Sequence, residues 1–485
     1  MISPSHLFPA LSDSMLGVIR IAYGALLLAT LLQAIPQAKR FFMSERWGGY
    51  AKSSALTDAL QSPVVMPLIL IAWIGAAALL IAGRWTVAAS AICLVFAHYF
   101  FVQTRWKSVV RGLGAPGLMS YWLAAAVFLL ELTRRFAPAA APLALLVVQA
   151  DFALIILSAG IYKFTAGYPR NEGMELGMVN PEWGYWWRFY KNLPPSHWLF
   201  RVLNHLAWGT EVAAAVLMLI PPTRFLGGLL IILSFAFIAT QIRLGFLCEM
   251  VMVCGLLFAH PGSFADTLAT RLMHVSIAAP TPEAGLTTAL QIFLWSYLIL
   301  LPVAHAGMYY NFYARKRLPA PLQLALERYN NFFGMIIWRV FSVDVINFFI
   351  NIYREDPASG QRRLVSAWGS PLQPRYDHVA ESITVTSLFT TLKYYPSNSQ
   401  LFQERLLRYA RSVKAGSDVL VFEYQSVVKR ERGFAFTPVA EYRVDPQRGS
   451  VQCRPIDPSI SVHDAHVASP VHEGAVPGSY APLAS

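Results

Sequence analysis

Apolar residues in this chain gather into long uninterrupted runs, not the short alternating or striped patterns of a soluble domain. Nine such runs stand out, near residues 16–34, 64–82, 86–102, 117–132, 143–163, 205–221, 224–242, 245–260 and 287–310. A helix needs roughly 17–25 apolar residues to cross a hydrocarbon core. The pattern therefore predicts an all-α polytopic membrane bundle of about nine transmembrane helices over residues 1–311, with the shorter runs as candidates for re-entrant segments.

Past residue 311 the pattern changes. Residues 323–352 are aromatic-rich but broken by Glu327, Arg328, Asn330, Asn331, Arg339 and Asp344, which predicts interfacial amphipathic helices within a linker, 312–361. Residues 362–456 read as a small α+β soluble domain of about 95 residues. There SITVTSLFTTLKYY reads as a strand. Ser397 or Ser399 is a candidate cap for a helix whose apolar face is Leu401, Phe402, Leu406, Tyr409, Ala410 and Val413. DVLVFEYQSVV, FAFTPVAEYRV and SVQCR follow as strands, with Phe434, Phe436, Ala440, Tyr442 and Val444 expected on one alternating face. Residues 457–485, rich in Pro, Ser, Ala and His, read as a disordered tail.

Composition sharpens the membrane reading. The chain has 485 residues, 55% of them hydrophobic and 14% charged, against about 25% charged in soluble domains. The net charge of +12 is scattered between the apolar runs, which suits anionic lipid headgroups and excludes a nucleic-acid stripe. Basic residues after the first run (Lys39, Arg40, Arg46, Lys52), the third (Arg105, Lys107, Arg111) and the ninth (Arg315, Lys316, Arg317) place the amino terminus outside and the carboxyl terminus in the cytoplasm, in a cell membrane expected to be the bacterial inner membrane. No cleavable signal peptide is expected. Cys93, Cys248, Cys254 and Cys453 show no disulfide or metal spacing. The histidines His463, His466 and His472 are not expected to hold a metal in a Pro/Ser-rich tail. No Walker loop, dinucleotide fingerprint, HExxH or nucleophile elbow is present.

Ionisable residues inside apolar runs are the strongest chemical signal, because such residues are costly in a membrane. Lys163 closes the fifth run and Glu211 opens the sixth, making an opposite-sign pair on consecutive segments. Gln241 and Arg243 close the seventh, Glu249 opens the eighth, and His98 and Arg105 flank the end of the third. If the spans alternate, all of these fall on one side, together with the connection 164–203 and its cluster PEWGYWWRFY, which contains Trp183 and Tyr185. The plain alternatives are snorkelling for Lys163, Arg105 and Arg243, an interface belt for the aromatics, and a structural ion pair for Glu211. Ser158, Ala159 and Gly160 precede the lysine and would let a neighbouring helix close on it.

Four pieces, LGVIRIAYG, AGIYKFTAGYPRNEGMELGM, LAWGTEVAAAVLMLIPPTRFLGG and LGFLCEMVMVCGLLF, taken in this order over residues 12–260, resemble the HTTM (horizontally transferred transmembrane) domain of the vitamin K-dependent gamma-carboxylase family. The resemblance implies a lysine base at Lys163, partnered by Glu211, with Arg20 as the matching first-span arginine. It further implies a reduced, vitamin K-like quinone as cofactor, whose deprotonation leads to an epoxide and to carboxylation of a glutamate. The chain departs from the family at Met119 and Phe235, where relatives carry histidine.

Two functions follow as expectations. One is an intramembrane enzyme acting on a quinol or other lipid-soluble substrate, with Lys163 and Glu211 catalytic and Arg243, Arg105, His98, Arg20, Trp183 and Tyr185 binding substrate. The other is a non-catalytic scaffold or transporter-like protein. Expected partners are membrane lipid, a lipid-soluble quinone and a protein met through the carboxyl-terminal domain.

Overall fold

A computed structural model describes residues 8–104, 114–273, 280–339, 343–366, 375–395, 397–413 and 418–456. Among these, eight helices are long and apolar enough to cross a membrane. They are α1 (Asp13–Ala34), α2 (Val65–Ala82), α3 (Thr86–His98, continued as a π-turn through Gln103), α4 (Gly114–Phe136), α5 (Ala141–Thr165), α6 (Trp198–Leu219), α7 (Arg224–Gln241) and α9 (Ala284–Tyr313). The chain is a multi-pass membrane protein.

The eighth apolar run folds differently. Its helix α8 (Leu247–Leu256) has 10 residues and rises only about 15 Å. The chain still passes between the two ends of the bundle here. Arg243 holds the connection that follows α5, whereas Phe225, at the start of α7, packs edge-to-face against His260 and Phe264 with ring centroids 5.6 and 5.5 Å apart. Leu257, Phe258 and Ala259 complete the pass as buried non-helical backbone. Such backbone is tolerated at membrane depth only inside protein. Gln149 of α5 donates to the Leu257 carbonyl at 2.8 Å, supplying a bond that the helix does not.

The segment expected to lie flat in the interface packs along a spanning-length helix instead. Helix α10 (Ala320–Phe333) runs antiparallel along α9, from Gln323 beside Asn311 at 3.1 Å to Phe333 beside Tyr297, ring centroids 5.1 Å apart. It ends with Gly334 at φ +69°, where a Cβ would lie 2.9 Å from the Tyr121 ring. A helix end inside protein needs partners for its last carbonyls. The Phe332 carbonyl is met by His98 Nε2 at 2.7 Å and the Phe333 carbonyl accepts from the Tyr121 hydroxyl at 3.3 Å. The chain then returns in extended form. Trp338 donates its backbone N–H to Ser158 Oγ at 3.2 Å and stacks on Phe235, and the Arg339 guanidinium lies 5.6 Å from the Phe312 ring centre.

The carboxyl-terminal unit is an antiparallel sheet, β2–β1–β3–β4–β5, with two helices on one face. Its strands are β1 (Phe348–Glu355), β2 (Arg362–Leu364), β3 (Val419–Arg430), β4 (Gly433–Asp445) and β5 (Ser450–Pro455), and its helices are α11 (Arg375–Tyr394) and α12 (Ser399–Ser412). The α+β reading holds, with three corrections. First, β1 pairs with β3 along its whole length, so the sheet begins within the stretch assigned to the linker. Second, SITVTSLFTTLKYY is helical. Thr384 back-bonds to the Ala380 carbonyl at 2.7 Å, Thr391 bonds the Ser387 carbonyl, and Val385, Leu388 and Phe389 face the sheet. Tertiary packing overrides the strand preference of these β-branched residues. Third, a bulge opposite Tyr424/Gln425 shifts the alternation of β4. Ala440 and Tyr442 therefore share a face with Tyr424 and Phe422, and Tyr442 packs on Phe389, while Phe436 and Phe434 turn to the other face and meet Trp187 and Phe200. The helix face 401–413 is as expected, although Asn398 supplies the cap, accepting from the Leu401 N–H at 3.0 Å. The expected tail, 457–485, lies outside the described residues.

The sheet unit is docked on the bundle. Arg40 bonds Glu381 at 2.5 Å and lies 4.7 and 5.0 Å from the centres of the stacked Tyr50 and Tyr409 rings, Arg408 pairs with Glu45 at 2.9 Å, and Asn180 donates to the Ile346 and Phe348 carbonyls at 2.9 and 2.8 Å.

Candidate functional site

The site is built by a close approach of α5 and α6. A Cβ on Gly160 would lie 2.7 Å from Val212 Cγ2, 3.0 Å from the Val212 nitrogen and 3.2 Å from the Trp208 carbonyl. Only glycine allows that contact, and it brings Lys163, one turn later, against Glu211. Lys163 is 3% exposed and Glu211 1%. The Lys163 ammonium nitrogen bonds Glu211 Oε1. The lysine thus points into the bundle and does not snorkel. Glu211 Oε2 is buried and has no hydrogen-bond partner among the described residues.

One face of α6 carries this polarity onward. Asn204, Ala207, Glu211 and Ala214 form a buried stripe at helical spacing, with Asn204 two turns, about 10 Å, from Glu211. Asn204 Nδ2 donates to Glu175 Oε2 at 2.8 Å, and its Oδ1 accepts from the Met174 N–H at 2.8 Å. Glu175, wholly buried, also accepts from the Gly173 N–H at 3.0 Å and pairs with Lys429 of β3 at 2.8 Å. Tyr168 is buried near both carboxylates; burial first, then Tyr162, Glu211 and Glu175, push its hydroxyl well above the ordinary tyrosine range. Glu175, Asn204 and Lys429 were not among the expected site residues. Glu175 was visible as a carboxylate in the otherwise apolar MELGMV, but its cation comes from a strand more than two hundred residues away, which no local pattern reports.

Arg243, Trp183 and Tyr185 come together, although as a loop clamp. The Arg243 guanidinium donates to the Pro181 and Gly184 carbonyls at 3.2 and 2.8 Å, its backbone N–H donates to the Trp183 carbonyl at 2.8 Å, and its guanidinium lies 4.8 Å from the Tyr185 ring centre. The Tyr190 hydroxyl donates to Gln241 Oε1 at 2.8 Å at the same end of the bundle. Arg243 Nη1 thus gives its hydrogens to backbone carbonyls.

Next to this clamp Glu182 is fully buried and accepts from the Thr386 hydroxyl at 3.2 Å. Burial pushes its carboxyl well above the usual range, opposed by the hydrogen bond from Thr386. The native state therefore keeps this proton to higher pH than the unfolded chain does, and the stability it confers is lost as pH rises from the ordinary glutamate range through the raised value. Glu182→Gln should flatten that part of the stability–pH curve, and melting curves of both proteins across mildly acid to alkaline pH check it.

The remaining expected residues separate. Arg20 is buried against Glu131 at 3.3 Å, and Glu131 also accepts from Thr86 at 2.7 Å. Glu131 lies in the last turns of α4 and Thr86 begins α3, so this pair belongs to the end of the bundle where α5 starts. Lys163 is about 33 Å along α5 from Ala141. Arg20 is therefore not a neighbour of Lys163. His98 serves the end of α10, as described, and Arg105 lies outside the described residues. Among the described residues no group of three or more His, Cys, Asp or Glu could hold a metal ion.

These features define a multi-pass membrane protein with a lysine–glutamate pair sealed between two spanning helices. Comparison with family models, curated proteins and solved structures returns no match.

Proposed function

We propose that this chain is an intramembrane enzyme of the bacterial inner membrane, in which Lys163 acts as a base on a hydroxyl of a lipid-soluble quinol, in the manner of the carboxylase-like family it resembles. The observation that carries the reading is the unpartnered Oε2 of Glu211, buried beside the lysine. A buried acceptor without a donor is costly, and a phenolic hydroxyl entering laterally from the bilayer would supply the missing hydrogen.

In that respect the residues fit a reduced quinone. When bound, such a group supplies a phenolic hydroxyl whose anion reacts with oxygen. The chain's own residues do the rest. Glu211 Oε2 accepts the hydrogen of the hydroxyl, and the proton passes through that carboxylate to Lys163 in its neutral amine form, giving the phenolate and the lysine–glutamate pair of this structure; the resting pair first releases the lysine's extra proton to solvent. The carboxylate thereby stabilises the product of the transfer.

Arginine keeps a cation beside Glu211 but cannot give up its proton in a protein. Lys163→Arg is therefore expected to remain folded while oxygen-dependent turnover of a lipid-soluble hydroquinone in nanodiscs falls to background. Retained turnover in that variant, or no hydroquinone binding and turnover by the unaltered protein, would overturn the reading in favour of a structural pair.

A further inference from the structure

The carboxyl-terminal unit grips the stretch of chain that leaves Lys163. Lys163 lies in the last turn of α5, which ends at Thr165, and helix ends fray unless something holds them. Here the chain leaves through a compact turn. Gly167 adopts φ +104°, its carbonyl accepts from the Arg170 and Glu172 N–H groups at 2.8 and 3.2 Å, and the Asn171 N–H donates to the Tyr168 carbonyl at 3.1 Å. Tyr168 is wholly buried and rests on Gly173, where a Cβ would lie 2.5 Å from the tyrosine ring. Asn171 is itself left-handed, at φ +60°, a conformation that costs energy in any residue but glycine and is kept where the surroundings impose it.

One side chain of the sheet holds this turn with two bonds. The Lys429 ammonium, near the end of β3, donates to the Asn171 carbonyl at 2.8 Å and pairs with Glu175 Oε1 at 2.8 Å. The other oxygen of Glu175 accepts from Asn204 Nδ2 of α6 at 2.8 Å. Direct contacts therefore run from β3, through the turn that follows Lys163, to the helix that carries Glu211. The lysine is delivered by a hairpin with its own attachment to the connection. Gly433 has φ +143° and a Cβ there would lie 2.5 Å from the Lys191 carbonyl, the same carbonyl accepts from the Phe434 N–H at 2.8 Å, and the Phe434 ring meets Phe200 of α6, centroids 5.9 Å apart. A lysine that only fastened the sheet to the bundle could pair with any surface carboxylate. This one is committed to a carboxylate with no exposed surface and to the carbonyl of a left-handed residue.

We propose that Lys429 is a positioning residue for the Lys163–Glu211 pair, so that the carboxyl-terminal unit, through this side chain, sets the last turn of α5 against α6. The inference rests on the reading of Lys163 as a base. Lys429 acts through Asn171 and Glu175 and takes no proton itself.

The test uses full chains in lipid nanodiscs. Lys429→Met alone leaves Glu175 without its cation and costs stability; Lys429→Met combined with Glu175→Gln removes both charges, and its melting temperature is expected to stay close to that of the unaltered protein. The grip on the turn is still missing in this double variant. Its kcat for a lipid-soluble hydroquinone is expected to fall about tenfold or more, with KM little changed, because a displaced reacting group loses rate while binding survives. Lys429→Arg, which can make both bonds, is expected to keep most of the rate. Normal kcat in the stable double variant would overturn the proposal, and so would an equal loss in Lys429→Arg. A second measurement does not depend on turnover. The coupling between Lys163→Met and Glu211→Leu, read from melting temperatures, is expected to shrink when Lys429→Met/Glu175→Gln is the background. An unaltered protein that turns over no hydroquinone defeats the reading of Lys163 as a base, whereas coupling that is the same in both backgrounds defeats the positioning role.

Discussion

Lys163→Ala is expected to destabilise the membrane domain by about 3–5 kcal/mol, because it leaves the Glu211 carboxylate buried without a counter-charge. The pair is buried, with Lys163 3% and Glu211 1% exposed, so little water is at hand to replace the lost ammonium. Glu211→Ala should cost a similar amount by stranding the ammonium. Replacing both residues by apolar ones of similar size, Lys163→Met with Glu211→Leu, is expected to recover most of the loss, since the desolvation of two charges is then no longer required. Thermal unfolding of the unaltered protein, Lys163→Met, Glu211→Leu and the double variant in lipid nanodiscs closes the double-mutant cycle. Additive losses, or a Lys163→Ala protein that melts with the unaltered one, would show that the two side chains do not meet. The recovered double variant should also be inactive toward a hydroquinone, which separates the stability of the pair from its proposed chemistry.

The second large effect is expected at the other end of the bundle. Arg20→Ala leaves Glu131 buried with the Thr86 hydroxyl as its remaining partner and should cost about 3 kcal/mol or more. Arg20→Met together with Glu131→Leu should again recover much of the loss. The placement of Arg20 adds a sharper expectation. The family resemblance assigns this arginine to the site of the lysine base, whereas here α5 separates the two by most of its length. Arg20→Met/Glu131→Leu should therefore keep whatever hydroquinone turnover the unaltered protein shows. Loss of turnover in a double variant of normal melting temperature would mean that Arg20 acts in the reaction.

The carboxyl-terminal unit is tied to the face of the bundle that carries the lysine. Lys429 pairs with buried Glu175 at 2.8 Å and the Phe434 N–H donates to the Lys191 carbonyl at 2.8 Å, so the β3–β4 hairpin sits on the connection between α5 and α6. Asn204 belongs at once to this contact and to the α6 stripe that holds Glu211. Docking of the sheet and the geometry of the ion pair are thus built on one helix face.

Much of this architecture was legible in the amino-acid order alone. Apolar runs of membrane-spanning length report themselves, because the bilayer selects on local hydrophobicity, and so did the charges of Lys163 and Glu211 inside two of them. The helix at 399–412 and the strands from 419 onward followed from periods that the chain displays locally.

What only the tertiary structure decided is which groups meet. It set α10 along α9 with its last carbonyls on His98 of α3 and Tyr121 of α4, and it made 382–394 helical because its apolar positions cover the sheet while its threonines bond their own backbone. It gave Arg20 to Glu131, His98 to Phe332 and Arg243 to the Pro181 and Gly184 carbonyls. Hydrophobic periodicity states how far a side chain lies from water, but a buried charge or carbonyl is satisfied by whichever partner packing brings within about 3 Å, and that partner is set by the fold as a whole.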